Sequence, residues 1–444
     1  MSAGTNPAAG RSRAARTAPV RPTPPVGDVF GSLRTPALWV LVGLLVVGSA
    51  RVAVMLAPAL FRYPRATIAA LVLFALYAVP FIAFITNLDY LEREPPILLA
   101  TAFAWGGVVV TAAAVPGNTA LQNLLAKKFS PRFATDWGPA LAGPTVEEIL
   151  KLLGVVLIAL LATAQINSVV DGFVYGAMVG LGYQVVENVA YAANAVAASG
   201  AGDRIEPVFG TFIARGFLAG PWSHTVFTAL AGAGIGYAVV RVDRTYAARS
   251  GFAALCLGGA WLCHFLWNSP LLSDGFGLGT PGRILALLLK GGLVLAMALL
   301  LAHPARLSEG AYYAHALSAV TDPRLVTPDE LDTMRSPAGR AAARRAAYAR
   351  AGPTGDRAVR QLQQAQARLA VQLSRGPAAD GDLTAASTAC MRDVLRARHR
   401  LVALSLGRPA TRRFPVSSRA TWLVGSALAV LLAIGLNLVL RAFI

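Results

Sequence analysis

Two adjacent glutamates in an apolar segment are the first residues of this chain that could do chemistry together. Glu147 and Glu148 occur in the stretch PTVEEILK, which ends at Lys151. On a helix, Glu147 and Lys151 would lie four residues apart on one face, with Glu148 about 100° away. The two carboxylates would then have different surroundings, which suits acid–base chemistry or joint orientation of one water. A charge pair stabilised by the positive end of the helix dipole is the structural alternative.

Further polar residues interrupt the apolar segments that follow. Glu187 lies in the stretch YQVVEN with no basic residue within one helical turn, so its partner must come from another helix. His224 begins another apolar segment, and His264 and Asn268 lie four residues apart on one helical face. A single histidine inside a membrane usually serves as a hydrogen-bonding residue between helices. Two histidines together with an intramembrane glutamate indicate a functional site instead.

These residue types support two kinds of chemistry. Imidazole and carboxylate groups can hold Zn²⁺ while a further carboxylate serves as the general base. Without a metal, a glutamate can activate water while an asparagine or a histidine stabilises an oxyanion. The residues alone leave both forms open.

The elements that must position these residues are transmembrane helices. Of all residues, 55% are hydrophobic and 14% are charged, and the mean hydropathy is +0.56, which is too apolar for a soluble globular protein. The fold class is therefore predicted as all-α, a polytopic transmembrane helical bundle. We predict about nine spans, each long enough to cross a bilayer, at 37–59, 66–87, 96–116, 144–164, 168–197, 221–240, 251–271, 283–302 and 420–442. Between the third and fourth spans, 117–143 predicts an interfacial or re-entrant helix that ends at a Gly-Pro pair.

The net charge of +18 is distributed unevenly along the chain. Arginines cluster before the first span, in the loop after the sixth span and throughout 303–419. The positive-inside rule places these three segments in the cytoplasm, and nine spans put them on the same side. On this topology, the polar residues of four antiparallel spans all lie between the midplane and the outer surface of the membrane. Their convergence at one depth favours a single site.

These residues, in this order, resemble the PrsW family of intramembrane proteases within the CAAX-protease superfamily. The resemblance rests on Glu-Glu-x-x-Lys at 147–151, aromatic-x-x-x-Glu-Asn at 183–188 and the later histidines, and it covers about residues 90–302. It implies an intramembrane endopeptidase of the cell membrane that cuts membrane-anchored proteins, such as anti-sigma factors, on their extracytoplasmic side. With this resemblance we predict catalytic roles for Glu147, Glu148, His264 and Asn268, metal binding by Glu187, His224 and His264, and substrate contacts by Lys151, Tyr183 and Asn188.

The predicted organisation has four parts. They are a disordered basic cytoplasmic tail at 1–35, a transmembrane protease-like core at 36–302, a basic helical cytoplasmic module at 303–419 and a final transmembrane helix at 420–444. In the module, TPDE at 327–330 predicts a helix start with a capping box. Further helices are predicted at 338–351, 355–375 and 384–405. Because the module shows no nucleic-acid recognition motif, we expect its basic residues to form solvated helix faces or to contact anionic lipid head groups, and we expect no nucleic acid.

Two other functions are compatible with intramembrane carboxylates. An ion-coupled transporter would also place them mid-membrane, and glycine-rich spans permit closely packed or broken helices. The chain shows no repeated half, which counts against a transporter. A non-catalytic scaffold would bind a membrane partner through the same groove, but such a protein has no need of the complete set of glutamates, histidines and Asn268.

Overall fold

The protein is helical throughout the part of the chain that the structure describes. The computed structural model covers residues 36–88, 91, 94–162, 165–374 and 384–406, and it contains no strand in these ranges. The predicted all-α fold is therefore confirmed. The helices are α1 Pro36–Arg62, α2 Pro64–Leu88, α3 Pro96–Lys128, α4 Pro131–Leu161, α5 Val169–Ser199, α6 Glu206–Val240, α7 Tyr246–Asn268, α8 Gly279–Leu317, α9 Pro328–Met334, α10 Pro337–Ser374 and α11 Ala385–Ala403.

Among the described residues, seven helices are long and apolar enough to cross a membrane, namely α1 to α3 and α5 to α8. α4 falls outside this set because its apolar run carries three charged residues, Glu147, Glu148 and Lys151. Eight of the predicted spans thus correspond to helices. The ninth, at 420–442, and the predicted tail at 1–35 lie outside the described residues. The total of nine spans stays a prediction.

The segment between the third and fourth predicted spans differs from its prediction as an interfacial or re-entrant helix. Residues 117–128 simply continue α3, and 131–143 form the first half of α4, which Ser130 caps by accepting a hydrogen bond from Phe133 N at 3.1 Å. α4 also continues through Pro139 and Pro144 without the predicted break. Each proline removes one helical hydrogen bond, and packing against neighbouring helices compensates for that loss inside a membrane bundle. The result is a helical hairpin that carries the glutamate pair.

α5 is the central helix of the membrane core. In its most apolar window, 83% of the residues are buried, against 17% in α1. Gly172, Gly176 and Gly180 repeat at every fourth position, and a Cβ on each would lie 2.2 to 2.3 Å from a carbonyl oxygen of α6. Only glycine permits this approach of two backbones. The carbonyl that faces Gly180 belongs to His224, so the glycine face of α5 fixes the position of that histidine.

α6 is irregular where it crosses the core. It is π-helical at Phe212–Ala219 and 3₁₀-helical at Gly220–Trp222, and it restarts as an α-helix at His224–Val240. Gln184 of α5 holds this break, because its Oε1 accepts hydrogen bonds from Ser223 Oγ at 3.0 Å and Thr225 Oγ1 at 3.1 Å. Irregular turns of this kind frequently accompany functional sites.

The carboxyl-terminal module packs around its own apolar cluster, which includes Tyr313, Leu317, Leu362, Leu369 and Val394. α9 begins at the predicted position, with both hydrogen bonds of the predicted capping box present. α10 and α11 correspond to the other predicted helices, and α10 is kinked at 351–352. α8 runs without interruption from the membrane core into the module, so the predicted boundary at 302–303 falls inside a helix.

Candidate active site

The glutamate pair of α4 shares one ammonium group. Lys151 Nζ donates hydrogen bonds to Glu147 Oε2 at 3.1 Å and to Glu148 Oε1 at 2.9 Å. All three side chains are buried, with Lys151 and Glu148 fully enclosed. The sequence predicted a pairing of Lys151 with Glu147 and different surroundings for Glu148. The structure pairs the lysine with both carboxylates, because residues three and four apart are both in reach on a helix.

His264 joins this group from α7. Its Nδ1 donates to Glu148 Oε1 at 2.9 Å, and its Nε2 accepts from Asn268 Nδ2 at 3.0 Å. These two contacts fit the tautomer that carries its proton on Nδ1. The Nε2 lone pair is used by Asn268, and Glu147 Oε2 lies 4.0 Å from the same nitrogen. Phe227 of α6 stacks on the imidazole, with ring centroids 5.1 Å apart, and keeps it in this orientation.

His224 joins the group from α6 with the opposite tautomer. Its Nδ1 accepts from Lys151 Nζ at 3.0 Å, and its Nε2 donates to Glu187 Oε2 at 3.0 Å. The Nδ1 lone pair is used by Lys151, and Glu147 Oε2 lies 3.8 Å from the same nitrogen. Both histidines give their single proton to a carboxylate and accept a hydrogen bond at the nitrogen that lies nearer Glu147. Metal-binding histidines are oriented in this way by outer carboxylates.

Arg215, in the π-helical segment of α6, supplies the partner that the sequence requires for Glu187. It donates through Nη2 to Glu187 Oε2 and through Nε to Asn188 Oδ1, the latter at 2.7 Å. Its guanidinium also stacks on the ring of Tyr191, with Cζ 3.7 Å from the centroid. Arg215 was not predicted as a site residue, because the predicted sixth span began at 221. A span extended toward the amino terminus would have included this arginine among apolar residues.

The residues present fit a metal ion. Glu147, Glu148, His224 and His264 each offer a ligand atom, and these atoms lie within 4.8 Å of one another. Zinc bonds of about 2.0–2.2 Å let one ion reach atoms separated by up to about 4.2 Å. Glu147 Oε2 lies within this limit of both imidazole nitrogens, at 3.8 and 4.0 Å. The four ligand atoms together are spread over up to 4.8 Å and would have to draw in around an ion. Lys151 Nζ provides the positive charge near these atoms in the structure.

The predicted ligand set of Glu187, His224 and His264 is thus only partly brought together. Both histidines face the common centre, but Glu187 lies behind His224 and binds Arg215. The carboxylate that joins the two histidines at the centre is Glu147. Glu147 takes the place predicted for Glu187 because of the tautomer of His224. Its Nε2 donates its proton to Glu187, and its Nδ1, on the other side of the ring, lies at the centre.

The α4 backbone at Gly143 lies against three of the predicted catalytic residues at once. A Cβ at Gly143 would lie 3.1 Å from Asn268 Nδ2 and 3.5 Å from both Glu147 Oε1 and His264 Nε2. The absence of a side chain at Gly143 therefore lets a carboxylate, an imidazole and an amide come together beside the backbone. In the sequence this glycine stood out only as part of the Gly-Pro pair at 143–144.

Asn118 of α3 is a second site residue that the sequence analysis missed. Its Nδ2 donates to Glu147 Oε1 at 3.0 Å, while its Oδ1 is buried without a hydrogen-bond partner. Glu147 is thereby held by Asn118 on one oxygen and by Lys151 on the other. Asn118 lies in the part of α3 that was predicted as an interfacial or re-entrant segment, where a polar residue such as asparagine is common and indicates no site.

The three predicted substrate contacts are enclosed in the protein. Lys151, Tyr183 and Asn188 are 0%, 3% and 1% exposed. Tyr183 covers Lys151 Nζ with its ring, at 4.2 Å from the centroid, and Asn188 accepts from Arg215. Each of them supports another site residue in this structure. Contact with a substrate stays a prediction for all three.

Comparison with known proteins gives one family. Residues 94–302 match the family described as PrsW family intramembrane metalloprotease. The matched segment contains every residue of the site, from Asn118 to Asn268, and it agrees with the resemblance predicted over about residues 90–302. No curated protein and no solved structure matches the chain.

Proposed function

Because residues 94–302 match the PrsW family of intramembrane metalloproteases, we propose that this protein hydrolyses a peptide bond of membrane-anchored protein substrates near the extracytoplasmic leaflet. The observation that carries the proposal is the convergence of Glu147, His264 and Asn268 beside Gly143. A water and a peptide carbonyl that reached this cluster would find a base and hydrogen-bonding groups together. This is the arrangement that hydrolysis of an acyl group requires.

Glu147 is proposed as the general base. Its Oε1 lies beside Gly143, so it can accept a proton from a water that enters the cluster on that side. Asn118 orients this oxygen, and Lys151 balances the charge on Oε2. Glu148 is fully buried and holds both Lys151 and His264, so its proposed contribution is to position them.

Asn268 is proposed to stabilise the oxyanion that forms during attack. Its Nδ2, at the last residue of α7, donates to His264 Nε2 at 3.0 Å and to Pro139 O at 3.2 Å, and one of these two bonds would be exchanged for the oxyanion. Loss of one such donor typically lowers kcat by about 10²–10³-fold. His264 Nε2 lies 4.0 Å from Glu147 Oε2 and, once released by Asn268, would relay the proton that Glu147 takes from water toward the leaving amine.

His224 Nδ1, His264 Nε2 and Glu147 Oε2 are the atoms that would hold a metal ion. A bound zinc would supply Lewis acidity toward the carbonyl and a lower pKa of water. Lys151 Nζ lies 3.0 Å from His224 Nδ1 and 3.1 Å from Glu147 Oε2, so it already satisfies two of these ligands. The residues that support the site keep the same tasks in either form. Glu187 and Glu148 fix the two histidine tautomers, and Arg215 holds Glu187 in place.

The proposed orientation puts the amino terminus and the basic module in the cytoplasm of a multi-pass cell-membrane protein. The loop between α6 and α7 contains Arg241 and Arg244, and Arg249 follows in the first turn of α7, which favours the cytoplasmic side. His224 starts the regular part of α6 and Asn268 ends α7, so the site lies at the opposite ends of both helices from this loop. Substrates of the anti-sigma-factor type, with an extracytoplasmic segment beside one span, would meet the site at that depth. The basic module would contact anionic lipids at the cytoplasmic face.

The test is cleavage of a co-expressed single-span substrate in cells. Wild type should produce a shortened fragment, and the variants Glu147→Gln, His264→Ala and His224→Ala should not, at equal membrane levels. Glu206→Gln is the matched control, because Glu206 is an exposed glutamate whose side chain is 59% accessible. Cleavage that persists in all three site variants would contradict the proposal.

A further inference from the structure

A cavity lined by arginines lies between the ends of two membrane helices and the module. It has a volume of about 210 Å³ and is bordered by Asn87 of α2, Arg306 of α8, and Pro337, Arg340, Arg344 and Arg360 of α10. Four of its six lining residues are therefore basic. The cavity is separate from the site around Glu147 and shares no residue with it.

These partly buried arginines suit an anionic ligand. Arg340 is 3% exposed, and the side chains of Arg344 and Arg360 are 24% and 32% exposed. Asp356 lies 3.9 Å from Arg344 and 3.8 Å from Arg360, and the buried carboxyl group of Glu309 interacts electrostatically with Arg340 and Arg306. Each guanidinium presents five N–H donors, more than one carboxylate uses, so an anion in the cavity would share these donors with the carboxylates.

The position of the cavity at the ends of the membrane helices favours a ligand that carries a phosphate group. Asn87 lies in the last turn of α2, and Arg306 follows the apolar part of α8 that crosses the membrane. The cavity is thus at the polar ends of two spans, where the phosphate groups of a bilayer lie. The planar guanidinium group matches phosphate with two parallel hydrogen bonds. At about 210 Å³ the cavity is smaller than the roughly 300–1,000 Å³ of sites for drug-sized ligands, which suits one head-group-sized anion.

We propose that this cavity binds a phosphate group, carried either by an anionic lipid head group or by a small soluble phosphate. The bound anion joins the first wall, formed by the ends of α2 and α8, to the second wall, formed by α10. Binding therefore fastens the module to the membrane core. The proposal is independent of the protease chemistry, since no residue of the cavity touches the proposed active site.

The experiment measures the melting temperature of the purified full-length protein in nanodiscs. One arm compares phosphatidylcholine nanodiscs with nanodiscs that also contain phosphatidic acid. The other arm adds potassium phosphate to phosphatidylcholine nanodiscs, with potassium chloride at equal ionic strength as the reference. A ligand that binds the folded state raises the melting temperature with its concentration. Stabilisation by phosphatidic acid alone identifies a lipid head group, and stabilisation by potassium phosphate identifies a soluble phosphate.

Variants separate the cavity from general surface charge. Arg344→Gln combined with Arg360→Gln should raise the apparent dissociation constant about tenfold or more, since at least one charge-assisted hydrogen bond is lost. The control combines Arg345→Gln with Arg357→Gln, which removes the same charge from exposed positions on the same helix and should leave binding unchanged. Arg306→Gln tests the opposite wall and decides the question if the first pair fails to fold.

Two results would overturn the proposal. One is a wild-type protein that neither phosphatidic acid nor potassium phosphate stabilises. The other is an equal loss of stabilisation in the cavity variants and in the exposed control pair, which would show that the anion responds to the overall charge of the module.

Discussion

Gly143→Ala tests where the reaction takes place. The new methyl group would lie 3.1 Å from Asn268 Nδ2 and 3.5 Å from Glu147 Oε1 and His264 Nε2. A contact of 3.1 Å is tighter than a methyl group ordinarily makes, so Asn268 must move, and the methyl group stands at the side of Glu147 and His264 that a water would have to approach. Loss of a single oxyanion contact costs about 10²–10³-fold in kcat. Because the approach of water to Glu147 is obstructed as well, we expect a fall in kcat of at least about 10³-fold.

The same change should leave the protein folded. Alanine is favoured over glycine inside a helix by roughly 0.5–1 kcal/mol. This gain offsets the small shift that the contact at 3.1 Å with Asn268 requires, and no charged group is altered. The melting temperature of Gly143→Ala should therefore stay near that of wild type. We therefore expect kcat to fall while the melting temperature stays unchanged, whereas a general packing defect would lower both.

The assay is cleavage of a single-span substrate by purified enzyme in nanodiscs, with melting temperature measured on the same samples. Gly258→Ala is the matched control, because Gly258 lies in α7 like His264 and a Cβ there would meet nothing within 4 Å. It should keep wild-type kcat. Wild-type activity in folded Gly143→Ala would refute the position assigned to the reaction. A fall in kcat accompanied by a clear fall in melting temperature would refute the explanation that the methyl group obstructs the reacting groups.

Three further predictions concern residues around the site. Arg215→Gln leaves the carboxylate of Glu187 without its arginine partner, so we expect the free energy of unfolding to fall by about 1–3 kcal/mol in chemical denaturation. Arg215→Lys should recover part of this loss, and an unchanged unfolding midpoint would contradict the pairing. Asn118→Ala removes the donor that orients Glu147 and should lower kcat about tenfold to a hundredfold with little change in substrate KM; an altered KM with unchanged kcat would indicate a substrate contact instead. Gly182→Ala forces a Cβ to 1.9 Å from a carbonyl oxygen of α3, so the yield of monodisperse protein in size-exclusion chromatography should fall, and an unchanged yield would show that the two helices can separate.

The fold could be predicted from the sequence because the bilayer imposes a simple rule. Apolar stretches of sufficient length must form helices, and eight of the predicted spans correspond to helices among the described residues. The rule fails where polarity is mixed. The segment 117–143 contains Lys127, Lys128 and Asp136, and it was predicted as an interfacial element although it extends two long helices.

The candidate site could be predicted in part, because charges inside apolar helices are expensive and rare. Glu147, Glu148, His224 and His264 stand out on that ground, and the structure brings their side chains together. The requirement for a partner of Glu187 also followed from the sequence.

The remaining features depend on tertiary contacts that no local pattern reveals. Asn118 and Gly143 have unremarkable neighbours in the sequence, and their importance arises only from their distance to Glu147. The tautomer of His224 depends on two groups from different helices, so the exchange of Glu187 for Glu147 at the centre could not be foreseen.

The most direct test of the central claim is mass spectrometry of products from purified protein in nanodiscs. The substrates would be a panel of single-span proteins with extracytoplasmic segments beside the membrane. We predict that wild type converts at least one of them into two fragments whose masses sum to the substrate plus one water, and that Glu147→Gln leaves it intact. Equal cleavage by Glu147→Gln and wild type, or an intact panel with folded wild-type protein, would contradict the account.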